Sequence, residues 1–396
     1  MMDFTRKLSF LVFLLSVLIS LKNQNAETNK GSWFSSYYSS PFSKAPLSSR
    51  PMFTTSKMGM KIQEFHISGS LRYDYYNESC PQAEQIIKST VREIYKLKPS
   101  IAPQLLRLVF HDCFIEGCDA SVLLDPHDGI DSEKESPPNE SLKGFDHIDI
   151  IKSELEETCP GVVSCADILV LAARESVLLA GGPFYPLYTG RRDSTLSYSE
   201  EATYDLPSPQ DDVVKITEKF ESRGFDERET VSLLGAHSTG MIHCKFILNR
   251  LYNFGGTNRP DPSIDPEFLN LLRSQCISNH VSSTRSASPA PTPSPSSSIS
   301  GLSSALIQEP GLKMDYEGSG SGFGTLYYRS LLRGRGILYA DQQLTAGGDT
   351  GTWVQAYASD ASLFQRDFAM AMMKLSNHRV LTAPLGQVRS DCRKID

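Results

Sequence analysis

Eight cysteines follow an export signal, and that combination limits the fold more than any other feature of the chain. They are Cys80, Cys113, Cys118, Cys159, Cys165, Cys244, Cys276 and Cys392. An even set in an exported chain predicts disulfides, so the fold must bring each pair together. Spacing alone leaves the pairing open. The signal is read from Arg6 and Lys7, then an apolar run from Leu8 to Leu21 broken by Ser9, Ser16 and Ser20, then a polar stretch ending at Ala26. Residues 1–26 are expected to be a cleaved signal peptide. The run is short for a bilayer span, and no later stretch is long and apolar enough to make one. The expectation is a soluble exported protein, with an uncleaved signal anchor as the competing reading. Zinc is the competing use for cysteine, but no pair has CxxC spacing.

The chain has 396 residues, 40% of them apolar, ample for a large core. Its formal net charge of -7 argues against a nucleic-acid partner, which favours a basic face. Residues 27–70 are rich in Ser, Tyr and Lys without a steady period and read as a flexible extension. From Leu71 to about Ile277 amphipathic helical patterns dominate. A Pro/Ser tract from Ser278 to Ser304 then lacks the means to pack a core and is expected to be a disordered surface loop. Helical patterns return at Tyr327 to Arg333 and Leu363 to Leu375. One mainly α domain over 71–396, carrying a disordered insertion at 278–304, is the expected organisation, because Cys392 must still find a partner upstream.

The segment "LLRLVFHDCFIEGCDAS", Leu105 to Ser121, carries the densest chemistry. Leu105, Leu108 and Val109 recur at helical spacing, and Pro99 and Pro103 suit the entry to a helix. Arg107 and His111 are four apart and share one helical face. A neighbouring cation disfavours the imidazolium, so His111 is expected to stay neutral. Such a base can take a proton and return it elsewhere, while a fixed guanidinium stabilises developing negative charge. A half-buried His beside a surface Arg is the plainer account of those two residues taken alone. Asp112, Asp119 and Ser121 follow closely, with Gly117 between, a donor set of the kind Ca²⁺ selects. Asp226 and Glu229 form a helix-start signature, Val231, Leu233 and Leu234 give an apolar face, and Gly235 is expected to end the helix just before His237. A buried imidazole in an apolar pocket suits a haem iron; a satisfied core histidine is the commoner use of a lone His. A zinc hydrolase built on His237 and His243 is a further alternative, although those two are six apart and no HExxH occurs.

These residues resemble the plant secretory (class III) haem peroxidases. The resemblance covers about Leu71 to Cys392 and rests on "YYNESCP", "LLRLVFHDCFIEGCDASVLLD", "EKESPPN", "CPGVVSCADILVLAARESVLLAGGP", "GRRD", "LGAHSTG" and "ADQQL". It implies a mainly α peroxidase-type fold with little β structure, and haem b held between distal and proximal halves. His111 is implied as the distal acid–base residue, Arg107 as its partner and Phe110 as the aromatic that restricts access. Asn139 is implied to bond the distal imidazole, with Glu133 behind it and part of the distal calcium network. His237 is implied as the iron ligand and Asp341 as the carboxylate on its other nitrogen. Pro207 matches the proline near the reducing-substrate site. Asp112, Ile115, Gly117, Asp119 and Ser121 match the distal Ca²⁺ ligands. Ser238 and Asp315 remain as candidates for a proximal Ca²⁺, but Gly324 stands where a second aspartate is expected, so that site is expected to be weak or missing. The implied disulfides are Cys80–Cys159, Cys113–Cys118, Cys165–Cys392 and Cys244–Cys276.

The implied activity is reduction of hydrogen peroxide to water with one-electron oxidation of small phenolic donors, by a monomer in the extracellular space. The alternative is a catalytically silent, calcium-stabilised cell-wall protein with the same fold. The chain ends at Asp396, soon after Cys392, which favours the cell wall over a vacuole. Two "NES" sequons occur, at Asn77 and Asn139; only Asn77 is expected to carry a glycan, because Asn139 is assigned to the distal pocket. Tyr185 replaces a tryptophan usual after "GGP", with no expected consequence.

Overall fold

Four helix starts in this chain are set by side chains that close off first-turn N–H groups. Ser164 accepts from the Asp167 N–H, Asp212 from Lys215, and Asp360 from Ser362 and Leu363. Asp226 and Glu229 form a reciprocal capping box. The computed structural model describes residues 71–127, 129, 131–284, 311–314 and 323–396, without the side chains of 277–284. The expected signal peptide and extension therefore lie outside the described residues, as does Asp315.

Among the described residues thirteen α-helices follow in chain order. They are α1 (Ala83–Leu97), α2 (Ile101–Phe114), α3 (Phe145–Thr158), α4 (Cys165–Leu179), α5 (Ser199–Asp205), α6 (Val213–Ser222), α7 (Glu227–Leu234), α8 (Leu248–Tyr252), α9 (Pro266–Thr284), α10 (Leu326–Leu331), α11 (Tyr339–Gln343), α12 (Gly348–Ser359) and α13 (Ala361–Ser376). Helix α9 runs on through Thr284, so the tract expected to be disordered from Ser278 begins as helix; 285–304 lies outside the described residues. The antiparallel strands β1 (Met241–His243) and β2 (Gly311–Lys313) pair Ile242 with Leu312. That ladder ties the chain just past His237 to the far side of the insertion, and the Met314 N–H extends it to the Gly240 carbonyl at 3.0 Å.

The helices form two packed groups. In the first, α4 is buried continuously from Cys165 to Val177 and packs on α2 and α1. Leu105, Leu108 and Val109 of α2 are buried, each worth roughly 1.5–3 kcal/mol. In the second, α7 packs on α12 and α13, and α10 packs on α12. Helix α13 also touches α2 and so joins the groups. Disulfides link Cys80–Cys159, Cys113–Cys118, Cys165–Cys392 and Cys244–Cys276. The third ties the start of α4 to the C-terminal segment across a sequence separation of 227.

Candidate active site

Helix α2 places Arg107 and His111 on one face, and Arg107 Nε donates to His111 Nε2 at 3.2 Å. On the other side of the ring, His111 Nδ1 meets Asn139 Oδ1 at 2.6 Å. Asn139 Nδ2 donates to the backbone carbonyl of Glu133 at 2.9 Å, which turns the amide oxygen toward the ring. The network therefore assigns the imidazole proton to Nδ1 and the lone pair to Nε2. Burial, then the Arg107 charge, pulls the His111 pKa down to about 3, and His237 adds to the effect against the Asn139 bond. His111 is neutral across the ordinary pH range. Phe110 is half-buried and stacks on Phe114 with centroids 4.9 Å apart.

The Arg107 guanidinium is held at three points. Besides Nε, Nη1 donates to Ser141 Oγ at 3.0 Å and Nη2 to the Pro138 carbonyl at 2.9 Å. Burial pulls its pKa down to about 10, so it remains a cation near neutral pH.

His237 sits on a single 3₁₀ turn, Gly235–Ser238, that continues α7. The α-helix ends at Leu234 with Gly235 next, as expected, but Gly235 has a φ of -57° and leads into the 3₁₀ turn instead of a left-handed cap. A glycine is required there because a Cβ would meet the Tyr328 hydroxyl and the Phe364 ring. His237 Nδ1 meets Asp341 Oδ1 at 2.8 Å, and Tyr327 donates its hydroxyl to the same oxygen at 2.9 Å. Asp341 is fully buried, and its Oδ2 has no hydrogen-bond partner among the described residues. Burial disfavours the charged form of His237, but the Asp341 charge and bond outweigh it and raise the pKa. His237 lies deep in the protein, yet 37% of its side chain is accessible. Arg107 shows the same combination. His111 and His237, and Arg107 and His237, are close enough to feel each other's charge. With Nδ1 engaged by a carboxylate, Nε2 is left to ligate a metal, and this donor set fits a haem iron.

A second set of donors lies directly beyond α2. Asp112, Asp119 and Ser121 are buried, as are Ile115 and Gly117. Asp112 accepts backbone N–H bonds from Ala120 at 3.1 Å and Val122 at 3.4 Å. Burial and the nearby Asp119 and Glu133 charges push its pKa up. Burial likewise raises Asp119 to about 6 and Glu133 to about 7. Ser121 Oγ lies beside Asp119 and Glu133 without a well-formed hydrogen bond, and Glu133 Oε2 also lacks a partner among the described residues. Crowded carboxylates and a free hydroxyl fit a hard divalent cation. The loop is shaped by Gly117, whose φ of 134° and contact with the Arg379 carbonyl exclude a side chain. No group of three or more His, Cys, Asp and Glu side chains among the described residues is arranged to hold a metal, so the donor set depends on carbonyls and the hydroxyl. On the proximal side Ser238 Oγ is buried and without a hydrogen-bond partner among the described residues, while Gly324 brings no carboxylate.

Pro207 is half-buried in the turn leading to α6, which is tied to α11 by the Ala340 N–H bond to the Pro209 carbonyl at 3.1 Å. The roles of Ser141, Pro138 and Tyr327 were not anticipated. Ser141 had been noted only as part of a sequon and Tyr327 only as the start of a helical pattern.

The family model described as "Peroxidase" matches residues 87–360. Among similar proteins of Arabidopsis thaliana, "Putative Peroxidase 48" is 52% identical over 367 residues, covering 90% of this chain and 91% of the relative. "Peroxidase 25" is 41% identical, covering 82% and 92%. "Peroxidase 57" is 39% identical, covering 82% and 93%. With the helical fold, these matches place the chain in the peroxidase family, among the class III plant peroxidases.

Proposed function

We propose that this peroxidase uses haem b to reduce hydrogen peroxide to water and oxidises small phenolic donors by one-electron steps, outside the cell and as a monomer. The observation that carries the reading is that Arg107, His111 and Asn139 form one hydrogen-bonded set within electrostatic reach of His237, which is itself bonded to Asp341. Haem b held through His237 would supply the redox chemistry of O–O cleavage. His111 Nε2 accepts a proton from the near peroxide oxygen and returns it to the far one, which leaves as water. That requires the lone pair on Nε2, which the Asn139 bond at Nδ1 provides. Arg107 then releases His111 and donates N–H bonds to the separating oxygen. Two donors each give one electron and one proton, which completes the reduction to two waters. Pro207 borders the donor's approach. The His111, Arg107, Asn139, His237 and Asp341 set, complete in this chain, supports an active enzyme over a silent relative.

One Ca²⁺ is assigned to Asp112, Asp119, Ser121 and the Ile115 and Gly117 carbonyls. The proximal site is weak or missing, and two Ca²⁺ per purified chain would overturn that. Among the described residues no helix is long and apolar enough to cross a membrane, in keeping with an exported protein after signal cleavage. The deciding experiment is the absorbance spectrum of purified protein, followed by one equivalent of peroxide. A Soret band that shifts within the mixing time supports the reading. A Soret band that ignores peroxide leaves a silent fold, and no Soret band removes His237 as the ligand.

A further inference from the structure

We infer that Ser141 is a positioning residue for Arg107, and that the turn from Ser136 to Leu142 holds both members of the distal pair; this rests on the peroxidase mechanism proposed above. The turn is internally braced. Asn139 N–H donates to the Ser136 carbonyl at 2.9 Å, and Leu142 N–H to the Asn139 carbonyl at 2.8 Å. Ser136 Oγ donates to the Glu133 carbonyl at 2.7 Å, the same oxygen that holds the Asn139 amide. Leu142 is buried and anchors the far end. From this one turn, Asn139 reaches His111, while the Pro138 carbonyl and the Ser141 hydroxyl reach Arg107.

Two anchors do what a single anchor does not. Once Nε releases His111, a guanidinium bonded only at Nη2 to Pro138 can pivot about that contact. The second bond, from Nη1 to Ser141, fixes its plane through that release. Each terminal nitrogen keeps one further N–H, so the clamp leaves a matched pair free to donate to an oxygen in the cleft. Ser141 thus acts through Arg107, on the step in which charge develops on the separating oxygen.

The test uses haem-loaded protein made without N-glycosylation, so that loss of the 139–141 sequon has no effect of its own. Ser141→Ala is expected to lower the second-order rate constant for peroxide about tenfold and fluoride affinity by a similar factor. The donor-oxidation step should stay within about twofold, and Ser141→Thr, which keeps the hydroxyl, should restore both readouts. Arg107→Leu is run beside them. If it loses the peroxide step while Ser141→Ala matches the native protein, the positioning role is wrong and the mechanism stands. If Ser141→Ala slows both steps alike, the residue is merely structural and the inference fails. If Arg107→Leu leaves the peroxide step intact, the mechanism fails and takes the inference with it.

Discussion

Glu133 supports Asn139 through its backbone carbonyl, 2.9 Å from the amide nitrogen, and not through its carboxylate. The carboxylate turns the other way. Its Oε1 accepts the Tyr198 N–H at 3.1 Å, and the group lies beside Ser121 and Asp119. One residue therefore serves the distal histidine with its main chain and the cation loop with its side chain. Glu133→Gln keeps the carbonyl and removes the charge. It is expected to leave the peroxide rate constant within about twofold and to weaken Ca²⁺ binding about tenfold. Stopped-flow kinetics and calorimetric titration check the two halves; a collapse of the peroxide step would put the carboxylate in the proton pathway.

The pH profile follows from His111. The reacting form is the neutral imidazole, and burial with the Arg107 charge holds its pKa near about 3. The peroxide rate constant, measured in excess Ca²⁺, should be flat from neutral pH downward and fall only as pH approaches about 3. Asn139→Asp places a carboxylate against Nδ1, which favours the imidazolium. The acid limb should move to higher pH. A limb that stays in place would mean that another group governs it.

The sequence shows the parts of the site built by local periodicity and hides those built by long-range contact. Arg107 and His111 fall on one helical face by spacing alone, and the Asp226–Glu229 capping box announces the helix that delivers His237. Nothing local joins His237 to Asp341, 104 residues on, or Arg107 to Ser141, 34 residues on. The first pair was reached through family resemblance, and the second was missed because one hydroxyl in a loop has no pattern. Gly235 does close the α-helix as expected, but the reason for a glycine there was hidden in the same way. A glycine after a helix suggests a left-handed stop; here the α-helix passes into a 3₁₀ turn at Gly235, and the missing side chain makes room for Tyr328 and Phe364.

Chelation should reverse how calcium-dependent stability follows pH. Burial raises Asp119 to about 6 and Glu133 to about 7, and raises Asp112 too, above unfolded values of roughly 3.9 to 4.3. In metal-free protein the ionised forms oppose folding, so this contribution is fully favourable below about pH 4 and is lost as pH rises through about 6 to 7. Calcium needs those same ionised forms. The difference in Tm between Ca²⁺-loaded and chelated protein should widen from pH 5 to pH 8, on the order of several degrees. A gap that is constant or narrows would remove these carboxylates from the cation site.

The two "NES" sequons differ in exposure. Asn77 is exposed, whereas Asn139 is 2% accessible and both ends of its amide are engaged. Peptide mapping of the exported enzyme should find a glycan on Asn77 and none on Asn139 in the active fraction. A glycan on Asn139 in active enzyme would end its assignment to His111.

Tyr185, expected to be without consequence, is fully buried, and its hydroxyl has no hydrogen-bond partner among the described residues. Burial pushes its pKa up; the Arg174 charge opposes this and the Glu175 charge adds to it. A hydroxyl taken out of water without a partner costs about 1–3 kcal/mol, while the ring contributes its full burial. Tyr185→Phe keeps the ring and removes the hydroxyl. It should stabilise the fold by about 1 kcal/mol, or about 2 °C in Tm. Tyr185→Trp, the residue usual in relatives by resemblance, adds volume to a closed site and should destabilise by about 1–3 kcal/mol unless the neighbours repack. Thermal melts of both variants in excess Ca²⁺ decide the matter. A lower Tm for Tyr185→Phe would show that the hydroxyl contributes a bond, with Arg174 or Glu175 the nearest charged groups to supply it.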